Sequence, residues 1–261
     1  MAHSVVAIAN QKGGVGKTTT AINLGAALAM DGHHTVLVDL DPQGNASTGL
    51  GIGPEQRQKS VYDLLAGPES LADCAVATDI PNLSIVPATP DLSSADVELA
   101  QVRDRTRLLQ RKLDQAAEEG SIVLIDCPPA LGLLTVNAMV AAQAVLVPLQ
   151  AEFYALEGLS QLLSTVRQVR QSGNPNLRVT GVLLTMSDYR NNLSQQVEAD
   201  ARATLGDLVF TTVIPRNVRV SEAPSFAQPV LLYDPASKGS AAYRQFAAEF
   251  AARLKLAKEE A

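Results

Sequence analysis

The sequence predicts an α/β fold: a doubly wound, mostly parallel sheet with helices on both faces. Apolar, β-branched runs of strand length recur along the 261 residues, and most are continuously hydrophobic rather than alternating. That pattern marks parallel strands covered on both sides. Stretches with helical spacing separate them, so strand and helix alternate. The first strand also leads directly into a glycine turn, a Lys-Thr pair and a helix, at Gln11-Lys12-Gly13-Gly14-Val15-Gly16-Lys17-Thr18-Thr19.

Strands are expected over 5–9, 35–40, 83–87, 122–125, 144–149, 179–185 and 209–214. Helices are expected over 18–30, 104–118, 132–142, 157–171, 193–205 and 240–256. Ligands of such sheets sit at the carboxyl ends of the strands, where the glycine turn, Asp39, Asp41 and Asp126 all fall. The turn-rich stretch 44–58 reads as a loop beside that edge rather than as a linker, and no internal repeat divides the chain. A single domain spanning 1–261 is the expectation.

Composition narrows the class. The chain is 46% hydrophobic and 18% charged, ordinary for a globular protein with a substantial core. No apolar run approaches the roughly 18 residues that would span a bilayer, and no signal-peptide pattern precedes the first strand. Cys74 and Cys127 have neither metal-ligand spacing nor a disulfide framework, so a reducing cytoplasm is expected. The net charge of -6 argues against nucleic acid, yet its distribution is uneven. Residues 1–150 hold 9 Lys and Arg against 16 Asp and Glu; residues 151–261 hold 12 against 11. A basic face in the second half is therefore compatible with the composition.

A strand, a glycine turn and a helix in this order bind the phosphates of a nucleoside triphosphate. Backbone N–H groups of Gly13, Gly14, Val15, Gly16, Lys17, Thr18 and Thr19 line the turn, and the helix N-terminus adds positive potential. Lys17 is placed to neutralise the β- and γ-phosphates of ATP, and the Thr18 hydroxyl to ligate Mg²⁺. Gln11 occupies the first position of the loop, where the usual pattern has glycine, and Lys12 follows it at the loop mouth. Lys12 is either a solvated surface charge or a cation able to reach a γ-phosphate held by a facing subunit. The strand over 122–125 ends in Asp126, a second Mg²⁺ holder. Asp39 and Asp41 close another strand; alternation points both to one side, Asp39 toward the metal's outer shell and Asp41 toward the attacking water. An Asp-Pro pair also opens turns, so a purely structural reading of Asp41-Pro42 stands beside the catalytic one.

Lys12-Gly13-Gly14-Val15-Gly16-Lys17-Thr18 resembles the deviant Walker A motif of the ParA/MinD superfamily of dimerising ATPases. Asp39-Leu40-Asp41-Pro42-Gln43-Gly44-Asn45 is similar to its second signature, and Ile125-Asp126-Cys127-Pro128-Pro129 to its Walker B region. The stretches 148–158, with Glu152, Phe153, Tyr154 and Glu157, and 214–225 resemble the chromosome-partitioning, ParA or Soj-like branch. This resemblance implies an ATP-bound sandwich homodimer that binds DNA without sequence preference. It also implies weak intrinsic ATP hydrolysis, stimulated by a ParB-type centromere-binding partner, in a cytoplasmic, nucleoid-associated protein. By the same likeness Lys12 contacts the partner subunit's nucleotide, Asp41 supports hydrolysis, and Pro215-Arg216 lies near the adenine. Family DNA contacts carry over to Arg190 and to Arg216 or Arg219, each of which could instead be a surface ion pair. No N-terminal DNA-binding extension of the plasmid type is expected, and hence no operator binding. The alternative, a membrane-associated MinD-like ATPase, needs a basic, bulky C-terminal anchor. Here Phe246, Phe250 and Leu254 form an apolar stripe among alanines, before an acidic tail, and packing onto the domain explains it more simply.

Overall fold

The computed structural model describes residues 4–116, 120–152 and 155–256. Phe153, Tyr154, the end of the expected helix over 104–118 and the acidic tail at 257–261 lie outside them. The strands are β1 (Ser4–Ile8), β2 (Thr35–Asp39), β3 (Val76–Ala77), β4 (Leu83–Val86), β5 (Ile122–Asp126), β6 (Ala144–Gln150) and β7 (Arg178–Thr185). They form one sheet in the order β3-β4-β2-β5-β1-β6-β7, parallel throughout except for the two-residue edge strand β3. Leaving β1, the chain crosses to β2 beyond β5, whereas β6 lies on the other flank of β1. That reversal opens a crevice at the carboxyl ends of β1, β2, β5 and β6.

Successive strand residues feed two cores. Val5, Ala7, Val38, Val123, Ile125, Val145 and Val147 point to one face, and Val6, Ile8, Leu37, Ile122, Leu124 and Leu146 to the other. Helices Leu108–Ala116, Leu133–Ala141, Ala155–Ser172 and Asn192–Leu205 cover the first face. Lys17–Met30 and Lys238–Leu254 cover the second. Helix Lys17–Met30 is buried nearly all round, including Thr20, Ala21, Leu24, Ala27 and Leu28, because the C-terminal helix packs over its outer side. This is the signature of a central helix rather than an amphipathic surface one.

The apolar stripe of the last helix belongs to this core. Phe246 and Phe250 are fully buried, and Phe246 meets Phe210 edge-on with ring centroids 5.0 Å apart. The stripe therefore serves packing, as the sequence suggests, and is not presented to lipid. Among the described residues no helix is long and apolar enough to cross a membrane.

One expected strand is absent: 209–214 runs beside β7 yet makes only an isolated parallel bridge, Val182 to Val209. The N–H groups of Phe210 and Ile214 donate to the Val182 and Leu184 carbonyls of β7 (2.9 Å each), but those of Thr211 and Thr212 are captured by a side chain. Glu249 accepts from the N–H of Thr211 (2.7 Å) and of Thr212 (2.9 Å), while Arg202 donates to the carbonyl of Phe210. Groups claimed by two helices cannot also build a ladder. The stretch 44–58, expected as a loop, contains the short helix Asn45–Gly49, and short helices at Val61–Ala66 and Leu71–Cys74 lack an expectation, because too few turns are present to show periodicity.

Gly181 on β7 allows this segment to lie close. A Cβ there would collide with the Phe210 ring and stand 2.7 Å from Arg253 Nη1 and 3.0 Å from the Leu208 carbonyl. Gly181→Ala is expected to lower unfolding stability by about 1–3 kcal/mol, measured by urea titration. Wild-type stability would show that the segment does not sit against β7.

Candidate nucleotide and metal site

The loop after β1 is shaped by two glycines in the left-handed region, Gly14 at φ +74° and Gly16 at φ +86°. Gly16 caps helix Lys17–Met30 without any side-chain cap, and no acidic residue stands in its first turn. The first N–H groups of a long helix are thus left for an external acceptor. Nothing lies within 4 Å of a Cβ built at Gly13 or Gly14, so the loop's inner face is open. Its outer side is fixed: the Thr185 hydroxyl donates to the Val15 carbonyl at 2.8 Å, and the Thr19 carbonyl accepts from Asn23 Nδ2.

Lys17 is buried, and its Nζ donates to the Lys12 carbonyl at 3.1 Å. Burial pushes its pKa down, against the opposing pull of Asp126 and Asp41. Register brings the acids together: Asp39 pairs with Asp126 across β2 and β5, and Ile8 with Asp126 across β1 and β5. Both carboxylates are fully shielded from solvent. Asp39 Oδ2 accepts from the N–H (2.8 Å) and the hydroxyl (2.7 Å) of Ser47, while Asp39 Oδ1 and both Asp126 oxygens have no hydrogen-bond partner.

Burial pushes the Asp39 carboxyl up to about 6, with Asp41 adding to the rise and the Ser47 bonds opposing it. Asp126 is raised well above the carboxylate range, by burial first and then by the charge of Asp39. The nearby Thr18 hydroxyl and Lys17 ammonium offset only part of that. Orphaned carboxylate oxygens beside a hydroxyl and an open phosphate cradle are the donor set that a hard divalent cation completes. Among the described residues no three His, Cys, Asp or Glu side chains cluster as a metal site. Mg²⁺ bound here would therefore draw on Thr18, Asp126, phosphate oxygens and water, the usual manner for this ion.

Asp41 is not a strand residue. β2 ends at Asp39, and Asp41 opens a turn in which its Oδ1 accepts from the Gln43 N–H at 3.0 Å. Alternation thus does not reach it, and one of its oxygens serves the turn. Its charge is nevertheless felt by Lys17, Asp39 and Asp126, which keeps it beside the site. Cys127 is fully buried, and its thiol is raised by burial and by Asp126. Cys74 is buried as well, so neither thiol is presented at the surface.

Lys12 is not free at the loop mouth. Its Nζ donates to Glu152 Oε2 at 2.6 Å, a partner 140 positions away that no motif assigned to it. Pro215 bridges Ser187, and the Arg216 N–H donates to the Ser187 carbonyl at 2.8 Å. This places Pro215 and Arg216 at the end of β7, near Gly16, whose neighbours are Thr185 and Met186. Arg190 is 90% exposed and forks onto Asp188 with two bonds of 3.0 Å. That pairing, helped by the charge of Arg216, holds Asp188 down to about 2. Arg219 contacts two acids, Glu222 at 3.0 Å and Asp234 at 3.3 Å.

The raised Asp39 pKa has a definite sign. A native state that keeps a proton the unfolded chain has released loses stability as pH climbs from about 4 through about 6. Without nucleotide and Mg²⁺, Asp39→Asn is expected to match wild type near pH 4. Above pH 7 it should exceed wild type by about 1–3 kcal/mol in urea titrations. A pH-independent difference would contradict the buried-acid assignment.

The AAA domain family model matches residues 3–179. The chain is 58% identical over 251 residues to the chromosome partitioning protein ParA of Caulobacter vibrioides, covering 95% of this chain and 94% of that one. It is 50% identical to the sporulation initiation inhibitor protein Soj of Bacillus subtilis, covering 95% and 98%. Among solved structures, cobyrinic acid a,c-diamide synthase from Mycobacterium smegmatis with bound ADP and magnesium superposes with a TM-score of 0.85. It shares 38% identity with this chain, covering 97% of this chain and 96% of that one. With an unsatisfied acid pair facing an open glycine cradle, and partition proteins matched along nearly its whole length, the chain belongs to the ParA/Soj family of chromosome-partitioning ATPases.

Proposed function

We propose that the chain, working as one domain, is an ATP-dependent, dimerising DNA-segregation ATPase. The observation that carries this reading is the meeting of the open, uncapped loop with the orphaned oxygens of Asp126 in a chain so similar to partition proteins. Lys17 and the loop N–H groups bind the triphosphate of ATP, and Thr18 and Asp126 hold Mg²⁺, with Asp39 behind them. Mg²⁺ in that place would neutralise charge on the phosphate oxygens. Asp41 orients the water that attacks the γ-phosphorus; the bond to the β–γ bridging oxygen breaks, leaving ADP and inorganic phosphate, and the water's released proton passes to solvent. Lys12 crosses to the nucleotide of a facing copy, so that ATP joins two protomers in a sandwich.

DNA binding without sequence preference rests on guanidinium groups repeated by the dimer. Arg190 and Arg216 flank the single acid Asp188, a local excess of positive charge. Arg219 is matched by two acids and is the weaker contact. Intrinsic hydrolysis is slow, and a ParB-type partner accelerates it and releases the DNA. Localisation is cytoplasmic and nucleoid-associated. The Mycobacterium synthase is named for an organic acid; the partition relatives, closer in sequence, favour DNA instead.

The decisive experiment measures ATP-dependent retention of random-sequence DNA, with and without a ParB-type protein. Lys12→Ala is expected to abolish ATP-dependent dimerisation in light scattering while nucleotide binding persists. Asp41→Ala should bind ATP, accumulate as dimer and turn over about 100-fold more slowly. Arg190→Glu should weaken DNA retention and flatten its log–log salt dependence by about 1 for each phosphate no longer neutralised. A wild-type salt slope in that variant would remove Arg190 from the interface.

A further inference from the structure

The Lys12–Glu152 pair is built from the backbone outward at both ends. Lys12 follows β1, and its N–H donates to Asn10 Oδ1 at 3.0 Å; buried Asn10 in turn donates through Nδ2 to the Pro148 carbonyl of β6 at 2.7 Å. Glu152 stands just beyond β6, and its N–H donates to the Gln150 carbonyl at 2.8 Å. The Gln150 side-chain amide donates to Glu152 Oε1, leaving Oε2 for Lys12 Nζ. β1 and β6 are neighbours in the sheet, so the two charges meet across one strand pair at the rim of the nucleotide crevice. The side chains are 38% and 46% exposed, which makes the pair weak enough to exchange.

We propose that Glu152 is a parking counter-ion, a positioning residue that holds Lys12 within its own protomer until a triphosphate on a facing copy takes the lysine away. The inference rests on the cross-subunit role of Lys12 given above. Glu152 competes at the high effective concentration of an intramolecular partner. The triphosphate competes with several negative charges in a site from which dimerisation excludes water, where charge pairs are stronger. Glu152 wins in the lone protomer and the triphosphate in the sandwich. A diphosphate, lacking the outermost charges, leaves the lysine parked. Dimerisation thereby depends on the γ-phosphate by more than contact alone, and both protomers must release their lysine together.

Glu152→Gln keeps the size of the side chain but removes the charge and one of its two acceptors. With a non-hydrolysable ATP analogue and Mg²⁺, the dimer of this variant is expected to form about 10-fold more tightly in sedimentation equilibrium. That value is the release of two exposed ion pairs per dimer. Carbodiimide coupling reads the pair directly. Wild-type protein without nucleotide should yield a Lys12–Glu152 isopeptide in mass spectrometry, and adding the analogue with Mg²⁺ should suppress it. Tightening below about 2-fold, no coupling in the lone protomer, or undiminished coupling in the dimer overturns the parking role. Lys12→Ala dimerising like wild type would instead overturn the cross-subunit lysine itself, so the two failures are distinguishable.

Discussion

The register between β2 and β5 sets Asp39 directly beside Asp126 at the carboxyl edge of the sheet, and the fold closes over both. Adjacent parallel strands run about 4.8 Å apart, a separation at which two shielded carboxylates resist being ionised together. Ser47 satisfies one oxygen of Asp39, and Lys17 brings a positive charge close to Asp126. The remaining charge is left for something the chain does not itself supply. The glycine loop, the acid pair and Lys17 are therefore one electrostatic unit: each is costly without the others, and a metal–phosphate complex of the kind proposed above would relieve all three.

Long elements were legible in the sequence because their signals are local. The glycine turn dictates its own backbone, Asp126 ends an unbroken apolar run, and the strands in the sheet's interior carry apolar residues on both faces. What escaped is non-local or short. The amides of 211 and 212 are drawn from a ladder to Glu249, far along the chain, and no periodicity within 209–214 reveals that competitor. Asp41 has the alternation of a strand residue, yet β2 stops at Asp39 and Asp41 enters a turn. Glu152 lies within a recognisable stretch, yet its partner is visible only when β1 and β6 are seen to adjoin.

The arginines show how geometry sorts residues that composition treats alike. Arg190, Arg216 and Arg219 are all exposed and near one end of the sheet, but the acids around them differ. A fork onto Asp188 leaves Arg190 with its outer surface in water, where a phosphate can approach without stripping away a second carboxylate. Arg219 is clasped between Glu222 and Asp234, and the Tyr233 hydroxyl donates to the same Glu222. Such a cluster ties the segment after the isolated Pro215 bridge to the rest of the domain. Charge there is already matched by neighbouring acids.

Helix Lys17–Met30 begins at the phosphate loop, and its outer flank is covered by Lys238–Leu254, where the Tyr243 and Thr20 hydroxyls lie 3.4 Å apart. Those two helices are translated far apart in time. Until the second is in place, the first has apolar surface open to water on one side, although Thr185 still ties the loop ahead of it. Loosening Lys238–Leu254 would therefore strip cover from the helix that follows the glycine loop, so damage far along the sequence would be felt at the site.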